Sequence, residues 1–195
     1  ELRLGLYEQA RATLRRAIEE SRAAARPAGE ALATLLLAQV HARRGRVDAA
    51  REAVQAARRL YLTVQRRPDA ADALLDLAEI ELLGGDVERA AAAWRQAGEE
   101  ADLEQVGSQR LRAAALRARL AARRGPAAER GAAAAALEAV FPEAIRLAAP
   151  ELLWECHAAG AELAEADGQS RKAEDHRHAA GALLERMAAE LPPEI

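Results

Sequence analysis

Small and aliphatic residues recur along this chain at spacings of three, four and seven, which is the period of one face of an α-helix. The pattern itself returns every forty residues, marked by Gly5, Gly45, Gly85 and Gly125, with Gly168 three residues late. After each glycine the order of positions is Tyr7-Ala10-Leu14-Ala17, then Val47-Ala50-Val54-Ala57, then Val87-Ala90-Trp94-Ala97. The set Ala127-Arg130-Ala134-Leu137 is degenerate, and Ser170-Ala173-Arg177-Ala180 keeps the alanines but loses the large apolar residue. Seven before the glycine stands an alanine (Ala38, Ala78, Ala118, Ala161), and five before it an aliphatic residue (Val40, Ile80, Leu120, Leu163). The glycine is predicted to end one helix in a left-handed conformation, with the next helix starting at once and the alanines letting the two approach closely. The unit is a helical hairpin, and a hairpin repeated at fixed period predicts an all-α solenoid whose units lean on one another for a core. The breakers place helices near 6–25, 29–44, 46–66, 69–83, 86–101, 108–124, 127–140, 150–166 and 169–190, with 141–149 an insertion of irregular structure. Pro68, Pro126 and Pro150 sit at helix starts, and Ser108 is a predicted N-cap. The units run over 1–27 (incomplete), 28–67, 68–106, 107–149 (degenerate) and 150–195 (a polar C-terminal cap), within one domain over 1–195.

The segments Gly5-Leu6-Tyr7-Glu8-Gln9-Ala10, Gly45-Arg46-Val47-Asp48-Ala49-Ala50 and Gly85-Asp86-Val87-Glu88-Arg89-Ala90 resemble the turn of the tetratricopeptide repeat. That resemblance spans most of the chain and implies a right-handed superhelix of antiparallel hairpins that binds protein or peptide without catalysis. The usual repeat of that family is thirty-four residues, so about six per unit are extra. Segments 18–26 and 58–67 suggest a longer second helix and a longer return loop. Lengthened units of this kind resemble the repeat regions of large bacterial signalling proteins, which implies a cytoplasmic sensing or recruiting region of a larger regulator. HEAT-like hairpins share the period, but their proline and basic signature is not evident here.

In tetratricopeptide folds the first helices line a concave groove. The resemblance therefore assigns partner binding to Gln39, Arg43, Asp72, Glu79, Arg112, Arg119, Arg123, Glu155, Glu162 and Glu165. The lysines and asparagines of the family's carboxylate clamp are missing there, so a chaperone C-terminal tail is not the expected ligand. Along the groove the charge would change from mixed to basic to acidic, an order able to register a complementary peptide. The competing reading is that these are ordinary solvated charges.

Composition narrows the remaining choices. Hydrophobic residues make up 51% and aromatics 3%, and alanine alone is roughly a quarter of the chain, so the core is alanine and leucine on strongly helical sequence. A net charge of −3 gives no general attraction to nucleic acid or acidic membranes. Six arginines lie within 110–124 with no acid among them, which admits a nucleic-acid reading. The acidic balance and the absence of interleaved aromatics count against it. No apolar run is long enough to cross a bilayer, and no leader pattern is present. One cysteine forms no disulfide within the chain.

Cys156, His157, His176 and His178 carry chemistry-bearing groups, but neighbours on one helix point in different directions, and His157 holds the repeat slot of Leu74. They read as packing residues rather than metal ligands or catalysts, and Trp94 and Trp154 as core fillers. No phosphate loop, paired carboxylates or nucleophile elbow is present, so neither enzyme activity nor a cofactor is expected. The chain opens directly before a turn glycine, which would leave the stripe of Tyr7, Leu14 and Ile18 without a partner helix. An upstream domain or a second copy would cover it, the latter making a homo-oligomer. At the other end Arg177 makes the last helix polar, and Leu191-Pro192-Pro193 is predicted to stop it.

Overall fold

The computed structural model describes residues 2–105 and 107–190, with side chains from Leu6 onward. Among these residues all regular structure is α-helical: α1 (Leu2–Ala23), α2 (Pro27–Arg43), α3 (Val47–Thr63), α4 (Arg67–Leu83), α5 (Val87–Glu100), α6 (Gly107–Arg124), α7 (Ala127–Arg146), α8 (Pro150–Ala166) and α9 (Ser170–Ala189). The stop expected at Leu191-Pro192-Pro193 lies outside the described residues.

The forty-residue period is two equal halves. Helices α2, α3 and α4 are each 17 residues long and are joined by three-residue turns. The left-handed residue of each turn falls at Ala25 (φ 51°), Gly45 (72°), Gln65 (60°) and Gly85 (83°). At Gly45 the amide donates to Ala42 O while the next amide, of Arg46, reaches back to His41 O at 2.9 Å. This Schellman arrangement occupies carbonyls that the helix end leaves open. Arg26, Arg66, Asp86 and Gln169 make the same long-reach bond to Ser21, Tyr61, Glu81 and Ala164. The extra residues therefore lengthen both helices of the unit; the longer return loop expected from the sequence does not form, because a non-glycine left-handed turn closes it.

Four other expectations change. Gly5 lies inside α1 and makes no turn, since a helix tolerates an interior glycine at a cost of about 1 kcal/mol. Gly125 does precede a new helix, but its φ is not positive: Pro126 drives the preceding residue toward extended backbone. Residues 141–146 are no irregular insertion; α7 runs on through Pro142, and the next turn is left-handed at Ala148 (φ 49°). Ser108 is the second residue of α6 and not its N-cap. Pro68, Pro126 and Pro150 stand at helix starts as expected, and Asp86 caps α5 by accepting from the Arg89 amide at 3.0 Å.

The chain divides into two compact units, Glu1–Asp102 and Leu103–Ile195. The division falls where the left-handed turn is lost: α5 is 14 residues long and the chain leaves it extended at Ala101, although helix starts keep their twenty-residue spacing as far as Ala127. In the first unit each helix packs on the next, and α2 also meets α4. Its core is Ala31, Leu35 and Ala38 of α2, Ala50, Val54, Ala57 and Tyr61 of α3, and Ala70, Ala73 and Ile80 of α4. The repeat alanines Ala38, Ala50, Ala57, Ala78 and Ala90 are fully buried, which is what brings the helix axes close. Consecutive hairpins are also tied by charge: Arg51 makes a two-pronged bond to buried Glu81 at 2.6 and 2.9 Å, and Arg58 reaches Glu100 at 2.6 Å. The Glu81 carboxylate raises the pKa of Arg51. Arg44 pairs with Glu8 of α1, whose Tyr7, Leu14 and Ile18 are half-buried.

In the second unit α6 packs on α7 and α8, α7 on α8, and α8 on α9. Leu111 and Ala118 of α6, Ala133, Leu137 and Val140 of α7, and Cys156, Ala159 and Leu163 of α8 form its core. Arg130, at a slot that holds alanine in the earlier units, bonds to Asp167 and to the Gly125 carbonyl instead of packing. Exposed Arg177 of α9 pairs with Glu165, consistent with a last helix whose outer face is polar.

Candidate functional site

The first helices of successive hairpins carry the residues singled out for partner binding, and the two units present them differently. In the first unit Gln39 and Arg43 are exposed on α2 and continue a stripe that begins with Leu32 and Leu36. Positions 32, 36, 39 and 43 follow helix spacing, so the four share a face. Leu32 is 53% and Leu36 41% exposed, so two apolar side chains one turn apart on α2 face solvent. Forty residues on, α4 places Asp72, Asp76, Glu79 and Leu83 at the corresponding positions. Gln39 Nε2 donates to Asp76 Oδ1 at 3.4 Å, which joins the two stripes. Asp76 is 4% exposed, Asp72 and Glu79 are half-buried, and Leu83 is 64% exposed. The face is thus an apolar strip on α2 beside a carboxylate strip on α4. Leu32, Leu36, Asp76 and Leu83 were missed from the sequence, although the repeat register that selects Gln39 and Glu79 also selects them.

In the second unit Arg119 and Arg123 of α6 face Glu162 of α8 at 3.2 and 3.8 Å. The Arg119 Nε contact is a charge contact without hydrogen-bond alignment. Arg112 and Glu155 lie half-buried on the same two helices, and Glu165 turns to Arg177 of α9. The basic and acidic stretches expected to follow one another along a groove are here adjacent helices serving partly as each other's counter-ions. Such half-exposed pairs contribute little to stability, about 1 kcal/mol or less each.

The tetratricopeptide repeat family model matches residues 1–61 and 35–102, together residues 1–102 of the 195. The chain belongs to the tetratricopeptide repeat family. No curated protein matches it. Among solved structures it is similar to the nearly identical TPR-like repeats of a Podosopora anserina chain described as a kinesin light chain. There the identity is 18% over 95% of this chain and 90% of that one, with a TM-score of 0.59. A variant of the same repeats gives 17% identity over 96% of this chain and 91% of that one, with a TM-score of 0.61. The chain is also similar to BtubC (BKLC) from P. vanneervenii, at 21% identity over 98% of this chain and 78% of that one, with a TM-score of 0.64. These likenesses show the fold. Tetratricopeptide repeats generally mediate protein–protein interaction, and the fold is typically non-catalytic. No helix among the described residues is long and apolar enough to cross a membrane.

This tetratricopeptide chain also brings together side chains that the sequence did not. His157 of α8 and His176 of α9 meet with their Nδ1 atoms 3.1 Å apart. Phe141 of α7 lies over both rings, its centroid 4.7 Å from that of His157 and 6.0 Å from that of His176. His157 packs, as its Leu74 slot suggests, but against a second imidazole. Within-helix spacing could not reveal this, because the partners are on different helices. The usable signal was distance from the turn: the two lie eleven before and eight after Gly168, the slots of Leu74 and Ala93 about Gly85. Burial holds both imidazole pKa values below the ordinary 6.5. Cys156 is fully buried, and desolvation, with Glu155 nearby, pushes its thiol up to about 12. Among the described residues no group of three or more His, Cys, Asp or Glu side chains is arranged to hold a metal ion.

Proposed function

We propose that this chain is a peptide-capturing tetratricopeptide module, working as a sensing or recruiting region of a larger bacterial regulator in the cytoplasm. The lengthened forty-residue unit supports the setting. Gln39, Arg43, Asp72 and Glu79 on the first unit, and Arg112, Arg119, Arg123, Glu155, Glu162 and Glu165 on the second, are the proposed contact residues.

The observation that carries the reading is the pair of exposed leucines, Leu32 and Leu36, one turn apart beside the carboxylates of α4. Apolar surface in water is unfavourable, and a face of two leucines beside carboxylates suits a segment whose apolar side chains are flanked by lysine or arginine. Labelled peptides of alternating arginine and leucine, against glutamate–leucine counterparts, test this by fluorescence anisotropy. The basic peptide should bind, and a Leu32→Asp, Leu36→Asp double variant should weaken it at least about tenfold, or 1.4 kcal/mol, with an unchanged helical circular-dichroism melt. Equal binding of both peptides, or a double variant that binds like the parent, refutes the site.

A second reading, self-association, is favoured by a groove of about 400 Å³ on the second unit, lined by Ala144, Leu153, Leu183 and Met187 beside exposed Ile145. Light scattering separates the two, since only self-association raises the mass with concentration.

A further inference from the structure

The contact between His157 and His176 places a constraint on protonation that packing alone would not. At 3.1 Å the two Nδ1 atoms are hydrogen-bonded, so one must carry a proton and the other must present a lone pair. A neutral pair meets this condition when its tautomers differ. A pair with one added proton meets it as well, the cationic ring donating to the neutral one. A second added proton puts N–H on both facing nitrogens and two positive charges in contact, and the geometry cannot persist.

Two neighbours fix where the rings sit, while a hollow of about 120 Å³ lies on the Glu138 and Lys172 side of His176. Phe141 covers both from α7. A Cβ on Gly160 would stand 2.9 Å from His176 Cε1, so the missing side chain of α8 is what admits the ring. In the first unit the equivalent positions are Leu77 and Ala93, which line one hollow. The second unit has exchanged large-for-small across the hairpin, Gly160 for leucine and His176 for alanine. The fit depends on where one imidazole sits.

We propose that α8–α9 is an acid-released clasp, closed while His157 and His176 hold a single proton between their facing nitrogens and opened when a second is forced there. The charges around the pair only partly oppose this. Glu138 of α7 favours the protonated forms but is engaged by Lys172 of α9 at 2.9 Å, and Lys172 itself disfavours charge on His176. Asp175 of α9 is a weaker favourable charge, Cys156 on α8 stays neutral, and Arg119 and Arg123 of α6 face Glu162 of α8. Burial, the leading cause for both rings, keeps their folded-state values down. The opened hairpin therefore binds more protons than the closed one. Closure is complete above the free-imidazole value near 6.5 and weakens as pH falls through the lowered values.

Amide hydrogen exchange on the whole chain, corrected for the intrinsic pH dependence of exchange, reads the clasp locally. Local reading matters because burial also lowers the pKa of His41 in α2, which adds its own acid response to any global melt. Protection in α8 and α9 should fall by up to about tenfold per pH unit for each extra proton bound on opening, as pH drops below the free-imidazole value near 6.5. His157→Leu, which installs the residue of the Leu74 slot, should keep protection at pH 7.5 and flatten this slope. His176→Gln should flatten it too. A wild-type hairpin with no slope, or a slope retained in His157→Leu, overturns the proposal. Should both variants lose the hairpin, ring-nitrogen NMR titration of the wild type decides: two well-separated coupled steps uphold the shared proton, and two independent titrations remove it.

Discussion

At the residue scale, the turns separate two uses of the left-handed backbone. Gly45, Gly85 and Gly168 occupy it freely, whereas Ala25, Gln65 and Ala148 occupy it with a Cβ in place. For an L-residue that conformation costs about 1–2 kcal/mol, against which glycine's greater freedom in the unfolded chain counts about 0.5–1. Ala25→Gly and Gln65→Gly should therefore stabilise the fold by up to about 1 kcal/mol each, and Gly45→Ala should destabilise it by a similar amount, read as shifts in urea midpoint at constant slope. Gly131 and Gly98 provide a contrast of opposite sign. They lie inside α7 and α5 with nothing near a built Cβ, so Gly131→Ala should stabilise by about 0.5–1 kcal/mol through helix propensity alone. These asymmetries explain what was legible. Glycine marked the left-handed turns at 45, 85 and 168, though not at 5 or 125, while alanine and glutamine gave no sign, so the turns at 25, 65 and 148 were hidden and their residues were read as longer helices or loops. Arg26, Arg46 and Arg66, repeating at one turn position, were the overlooked sign of a twenty-residue half-period.

At the scale of the element, helix faces were more legible than helix partners. The repeat alanines and aliphatic residues predicted the buried stripe, and Ala38, Ala78 and Ala118 are at 0% exposure. Cross-helix pairs followed no such rule, because a salt bridge needs positions on two elements whose register the sequence does not state. Arg119 with Glu162, His157 with His176 and Arg51 with Glu81 all arise this way. Of these, the Arg51–Glu81 pair bears most on stability. Glu81 is 2% exposed and held by two of the guanidinium nitrogens, so removing one partner strands the other in a poorly solvated site. Arg51→Met should cost about 3 kcal/mol in chemical denaturation, whereas replacing both residues (Arg51→Met with Glu81→Leu) should recover most of it. A double variant no more stable than the single one would mean that the pair is net favourable in itself and that desolvation is minor.

Across the molecule, an alanine-built core raises the question of how tightly each unit closes. Alanine buries little apolar area, so the few large side chains that fill each interior carry a disproportionate share of the hydrophobic free energy. In the second unit Leu111, Leu137 and Val140 perform that task around Cys156, with Leu111 and Cys156 at 0% exposure. The cysteine is a built-in reporter of that interior. Its thiol, pushed up to about 12, is neither ionised nor accessible near pH 8, so a thiol reagent modifies it only when the core opens. In the native chain Cys156 should react at a rate set by the opening equilibrium, and full reactivity should return in denaturant. Leu137→Ala removes a nearly fully buried side chain and should lower stability by about 2–5 kcal/mol. Labelling should then accelerate by at least about thirtyfold if modification requires opening of the whole packed cluster, since 1.4 kcal/mol corresponds to a factor of ten. An unchanged rate would place the exposure of Cys156 in a local separation of α8 that leaves the core of α6 and α7 intact. In that event the hairpin of the paired histidines, and not the leucine core, would set the lifetime of the closed unit.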